Sequence, residues 1–252
     1  MAYFTYKKHQ IHYKDYGKGT PVVFLHGNTA SSKMFVPILH HFEQHFRIII
    51  IDFLGHGYSD RLSTFPADLW FDEAMQVITL LETLKIRQAH LVGSSGGALV
   101  AINIALERPD LVGKIVADSF EGESAVDAFT ENLVAERQAS KENMQAKRFY
   151  KMMHGDDWES VVDNDTAAIV AHAERMKAFF HHPIDTLKND ILMIGTQQDR
   201  CVSTGVHYLA HTYGEILQRI GHGAFYIFAT GDHPALISNS DSFCKIVKAF
   251  LL

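Results

Sequence analysis

Six short apolar runs recur along the chain at Val22 to Leu25, Ile48 to Asp52, Ala89 to Gly93, Lys114 to Asp118, Ile191 to Gly195 and Ala224 to Phe228. Longer stretches of helical period separate them. This alternation suits a parallel sheet, because strands covered by helices on both faces read as continuous apolar runs. An edge hairpin is expected at Tyr3 to Tyr16, where Ile11, Tyr13 and Asp15 alternate with His12 and Lys14. Trp70, Ala74, Ile78, Leu81 and Leu84 recur at three-to-four spacing and predict one helix. A second runs from Ala98 to Leu106, apolar nearly all round, and stops before Pro109. One interval breaks the pattern: about 70 residues, Ser119 to Lys188, lie between two strands where a crossover usually takes far fewer. Helix-like stretches at Ala125 to Phe149 and Thr166 to Phe180 make it a helical cap over the sheet. The expectation is a single domain over residues 1–252, with the cap inserted at residues 119–188.

With 252 residues, 47% of them hydrophobic, the chain can bury the core of one α/β domain. The formal charge of -6 and the lack of a compact basic run argue against nucleic acid and anionic membranes as partners. No apolar run approaches the roughly 20 residues of a membrane span. MAYFTYKKHQ at the start lacks the apolar core of a signal peptide. Only Cys201 and Cys244 are present, which fits a reducing compartment. A soluble, cytoplasmic protein acting on a small molecule is expected, and nothing in the sequence sets an oligomeric state.

The segment HLVGSSGGALVAIN places Gly93, Ser94, Ser95, Gly96 and Gly97 between a strand and a helix. This is G-x-S-x-G in its structural context. A nucleophile on such a turn adopts strained backbone angles, so its neighbours must be small. An ordinary glycine-rich turn would accept the same pentapeptide.

Further motifs turn this into a resemblance: His26-Gly27-Asn28 follows one strand and DFLGHGYSD the next, while GTQQDRCV and GDHPAL follow later strands. Together with GSSGG, they make the whole chain resemble the α/β-hydrolase-fold superfamily, in particular a serine esterase-like member with a helical cap. The resemblance implies Ser95 as nucleophile, Asp199 as acid and His233 as base, in the chain order of that fold. It also implies an oxyanion hole made by the backbone amides of Asn28 and Gly96. Asp52, Gly55, His56, Gly57 and Ser59 would serve their turn structurally. Ser94 and Gly96 replace residues often found beside the family's serine, which blurs the subfamily.

Strand direction supports His233, because ligand sites of open α/β sheets lie at the carboxyl ends of strands. His222 precedes its strand and belongs at the opposite end. Asp118 and Asp232 compete with Asp199 for the acid. Adjacent residues of an extended segment point apart, which disfavours Asp232; Asp118 ends the strand after the nucleophile helix and stays the alternative.

His41/His45 and His207/His211 have the i,i+4 spacing of metal ligands, but neither pair reads HExxH and no third ligand is evident. No metal and no cofactor are expected. An apolar pocket would draw on Met34 and Phe35 beyond the oxyanion loop and on Phe120 and Trp158 of the insertion. The expected activity is a cofactor-independent serine hydrolase that cleaves an ester-type bond of a small, largely apolar substrate through an acyl-enzyme. Alternatives are a carbon–carbon bond hydrolase or perhydrolase of the same fold, or a receptor-like binding module that keeps the triad.

Overall fold

The computed structural model describes residues 2–125, 127–202, 205 and 207–252. A hairpin of β1 (Ala2–Tyr6) and β2 (His9–Gly17) leads into β3 (Thr20–Leu25) and β4 (Phe46–Ile51). Helix α1 (Leu69–Thr83), β5 (Ala89–Ser94), α2 (Gly96–Glu107) and β6 (Val112–Asp118) follow. Three helices then intervene, α3 (Asp127–Glu142), α4 (Met144–His154) and α5 (Trp158–Arg175), before β7 (Ile191–Thr196). The chain closes with α6 (Tyr208–Ile220), β8 (Ala224–Phe228), α7 (Ala235–Ser238) and α8 (Ser240–Leu251).

The eight strands form one sheet in the order β1-β2-β4-β3-β5-β6-β7-β8. β3 through β8 run parallel, while β2 joins β4 antiparallel. The fold is a mostly parallel sheet flanked by helices. Successive side chains of a strand face opposite sides, and the apolar runs divide accordingly. Val23, Leu25 and Leu91 enter the layer under α1 and α2, with Leu80 and Ile102. Val22, Phe24 and Val92 enter the other layer, with Phe243 and Val247 of α8. Phe24 sits between the rings of Phe35 and Phe42, each at 5.3 Å. Burying a side chain of that size contributes about 1.5–3 kcal/mol.

Four local expectations change. His12 is fully buried rather than on the wet side of the hairpin, because its Nδ1 lies 2.9 Å from the buried Asp52 carboxylate. β8 is an edge strand with Phe225 and Tyr226 exposed, so its apolar run is not covered on both faces. The stretch expected as one helix from Ala125 to Phe149 is two, with Val126 outside the described residues. Asn143 interrupts it and accepts hydrogen bonds from the amides of Gln145 and Ala146, an N-cap that starts α4. α5 begins at Trp158, eight residues before the expected Thr166, and ends at Arg175 rather than Phe180. Among the described residues, no helix is long and apolar enough to cross a membrane.

Parallel strands end on one side of the sheet, and there the turns after β3, β5, β7 and β8 meet. Side chains of α3, α4 and α5 reach the same side.

Candidate active site

Ser95 sits between β5 and α2 with φ 56° and ψ −124°, a conformation costly for a residue with a Cβ. Its amide donates to the Asp118 carbonyl at 2.7 Å, tying the turn to the neighbouring strand. A Cβ at Gly93 would collide with the Gly97 carbonyl, and one at Gly97 with the Leu25 carbonyl. Glycine at both positions therefore lets α2 start directly on the sheet.

His233 follows β8. Its Nε2 lies 2.9 Å from Ser95 Oγ, and its Nδ1 lies 2.9 Å from Asp199 Oδ2. Asp199 is 2% exposed, and its other oxygen accepts the amides of Cys201 and Val202 at 3.0 and 3.2 Å. A carboxylate can only accept, so His233 donates from Nδ1 and turns a free lone pair on Nε2 toward the serine hydroxyl. Burial opposes the imidazolium, yet the Asp199 hydrogen bond and charge outweigh it and hold the His233 pKa above its ordinary value.

Neither competing aspartate touches the ring. Asp118 accepts hydroxyl hydrogen bonds from Ser94 and Ser119 at 2.8 and 3.0 Å and the Leu236 amide at 3.2 Å. Burial pushes it up to about 6 despite these donors. Asp232 accepts the His233 amide at 2.9 Å and pairs with Arg200 at 3.4 Å.

Gly96 is the first residue of α2, where an amide has no acceptor within the helix and the helix dipole favours an anion. Asn28 lies across from it on the loop after β3. The Asn28 side chain is occupied, its Oδ1 accepting from Trp70 Nε1 at 3.2 Å and its Nδ2 donating to Asp165. His26 donates from Nδ1 to the Gly27 carbonyl and accepts the Phe53 amide on Nε2, both buried, which joins this loop to the turn after β4. Burial and the neighbouring His56 hold His26 down near 3, so it stays neutral.

A cavity of about 430 Å³ opens over Ser95, Gly96, Asn28 and His233, and Met34 is among its lining residues. Phe35, Phe120 and Trp158 do not line it. Phe35 is fully buried against Phe24, Phe120 stacks on Tyr213 at 4.9 Å, and Trp158 stacks on Tyr150 at 5.6 Å. Apolar type predicts burial, but whether that burial is in core or cavity wall depends on packing. Glu121, Arg137 and Gln145, none of them singled out in the sequence, line the cavity together with Phe149 of the insertion. Glu121 is buried, which pushes its carboxyl up to about 7. Arg137 Nη1 donates to Thr29 Oγ1 at 3.4 Å and Tyr150 Oη at 3.3 Å, while its buried Nε has no partner. Among the described residues no carboxylate lies within ion-pair distance of it. Cys201 also borders the cavity, and its sulfur lies with one ligand atom each of Asp199 and His233 inside 4.8 Å.

The family model described as the α/β-hydrolase fold matches residues 20–139. Over 102 residues, the chain is 32% identical to (E)-2-((N-methylformamido)methylene)succinate hydrolase of Acinetobacter baylyi, covering 40% of this chain and 38% of that one. Over 111 residues, it is 35% identical to 2-(acetamidomethylene)succinate hydrolase of Mesorhizobium japonicum, covering 44% and 39%. The matched segments thus span about two fifths of these curated relatives. The crystal structure of a hydrolase from Pseudomonas aeruginosa superposes with a TM-score of 0.78 at 16% identity, over 99% of this chain and 97% of that one. The sheet order, the strained serine turn and the match over residues 20–139 agree, and the chain has the α/β-hydrolase fold.

Proposed function

We propose that the chain is a serine hydrolase that cleaves an ester-type bond of a small substrate through an acyl-enzyme. The observation that carries this is the pair of 2.9 Å contacts running from Ser95 Oγ through His233 to Asp199. Ser95 Oγ attacks the substrate carbonyl carbon while His233 Nε2 takes the hydroxyl proton. The developing oxyanion is met by the amides of Gly96 and Asn28, each contributing about 3 to 4 kcal/mol of transition-state stabilisation. His233 returns the proton to the leaving alkoxide as the ester bond breaks. Water, deprotonated by the same nitrogen, then releases the acid and restores the serine. Asp199 keeps the proton on Nδ1 and offsets the charge of the imidazolium.

The α3–α5 insertion acts as a cap in this reading, since Arg137, Gln145, Ala146, Phe149 and Tyr150 form part of the cavity wall. A second substrate reading rests on Arg137. An arginine with no carboxylate partner among the described residues, beside Met34, Trp70, Leu99 and Phe149, suits a substrate with an apolar body and an anionic group. The two relatives named for succinate derivatives make a carboxylate the first group to test. The same machinery would serve a carbon–carbon bond hydrolase or perhydrolase, and a receptor-like module would keep the triad without rapid turnover.

The test is a serine-directed phosphonate followed by peptide mapping, together with Ser95→Ala. Label on Ser95 and a loss of ester turnover on the order of a million-fold are expected, since the three residues act as a unit. Label on Ser94, or full activity in Ser95→Ala, would overturn the assignment. A panel of esters, lactones and vinylogous diketones separates the bond classes, and multiple turnover separates enzyme from receptor.

A further inference from the structure

We infer that Asp165 of α5 is a positioning residue for the oxyanion site, so that the insertion holds part of the catalytic machinery in place as well as covering it. The inference rests on the serine-hydrolase reading. Asp165 is fully buried and about 136 residues from the loop it grips. Its Oδ2 accepts the Thr29 amide at 2.9 Å and the Asn28 Nδ2 at 3.2 Å, and its Oδ1 accepts the same Nδ2 at 3.3 Å. His56 Nε2 donates to Oδ2 at 3.0 Å from the turn after β4. Burial works against the Asp165 charge, but the His56 hydrogen bond and charge lead the interactions that keep its pKa below the ordinary carboxylate range.

The loop needs such a hold. Thr29 has φ 56°, and for a β-branched residue that region persists only where the surroundings impose it. Both polar groups of its peptide are gripped from the insertion. Asp165 takes the amide, while His154 of α4 donates from Nε2 to the Thr29 carbonyl at 2.9 Å. The Gly57 amide donates to His154 Nδ1 at 3.2 Å, which fixes that tautomer. Ser31 Oγ adds a 3.1 Å hydrogen bond to the Met153 carbonyl. Trp70 holds the other end of the Asn28 side chain, so the Asn28 backbone stands between two fixed points. An oxyanion donor works only at the right place, and a shift of about 1 Å can cost a hundredfold.

Asp165→Asn removes the charge and one acceptor with little change of volume. The expected result is a kcat for p-nitrophenyl acetate lower by about 10- to 100-fold, with KM within about threefold. Affinity for a trifluoromethyl ketone, which forms the oxyanion, should fall by the same factor, because only the transition state uses the donor. A purely structural role would lower the melting temperature without that parallel. A folded Asp165→Asn with kcat within about twofold of the parent, or with the loss carried by KM, overturns the inference. If Asp165→Asn does not fold, His154→Gln carries the test, with the same signature at several-fold loss expected and an unchanged kcat overturning it. Ser95→Ala, run alongside, keeps the outcomes apart: activity surviving there sinks the hydrolase reading itself, whereas a dead Ser95→Ala with a normal Asp165→Asn sinks only this inference.

Discussion

In the proposed mechanism Ser95 can pass its proton to His233 only while Nε2 carries a lone pair, a state that the Asp199 contact at Nδ1 favours. In Asp199→Asn the new amide can donate to Nδ1, which places the proton on Nε2 facing the serine. Turnover should fall by roughly ten-thousand-fold while the thermal melt stays cooperative. Asp118→Asn, equally isosteric and equally one charge poorer, should cost less than about tenfold, because Asp118 binds Ser94, Ser119 and Leu236 instead of the imidazole. A reversed ranking in steady-state ester assays would move the acid to the end of β6. In the sequence, strand direction selects His233 over His222 as the proposed base. The acid was a choice among three, since carboxylate reach depends on side-chain direction, which one-dimensional spacing does not contain.

Among the elements, α3 carries the least expected feature, the Arg137 guanidinium at the cavity wall. A charge-assisted hydrogen bond is worth about 1.5–3 kcal/mol. Arg137→Gln should therefore lower kcat/KM for a p-nitrophenyl monoester of succinate by about 10- to 100-fold relative to p-nitrophenyl acetate. Equal losses on both esters in stopped-time hydrolysis would show that the cation does not read the substrate carboxylate. Helix α5 held a signal that could have exposed Asp165. It falls in a buried stripe with Val161, Val162, Ala168, Ile169 and His172, where an unpaired acid would be costly. A charge in an apolar stripe asks for a partner, but the sequence does not say that the partner is a loop before α1.

The whole molecule carries a stability cost at its site. Glu121 is buried beside the cavity, and burial raises it from 4.5 to about 7. The folded state thus holds this proton more tightly than the unfolded chain, so stability falls as pH rises from about 4.5 to about 7 and stays low above it. The shift corresponds to about 3 kcal/mol at full ionisation. Glu121→Gln should melt several degrees above the parent at pH 8, with the difference shrinking toward pH 4.5. A difference independent of pH in calorimetry would show that ionisation of Glu121 is not its source.

The sequence by itself determined the sheet, because apolar runs of strand length separated by helical periods leave little choice but parallel strands between two helical layers. It also determined the serine turn, because only residues without a Cβ at 93 and 97 allow α2 to begin against the sheet. Tertiary structure alone decided which apolar residues meet the cavity, so Phe35 became core and Phe149 became wall. It also decided what holds the loop after β3. Periodicity is a local property that chain geometry enforces, whereas the contact of Asp165 with Thr29 joins segments more than a hundred residues apart and exists only once α5 is packed.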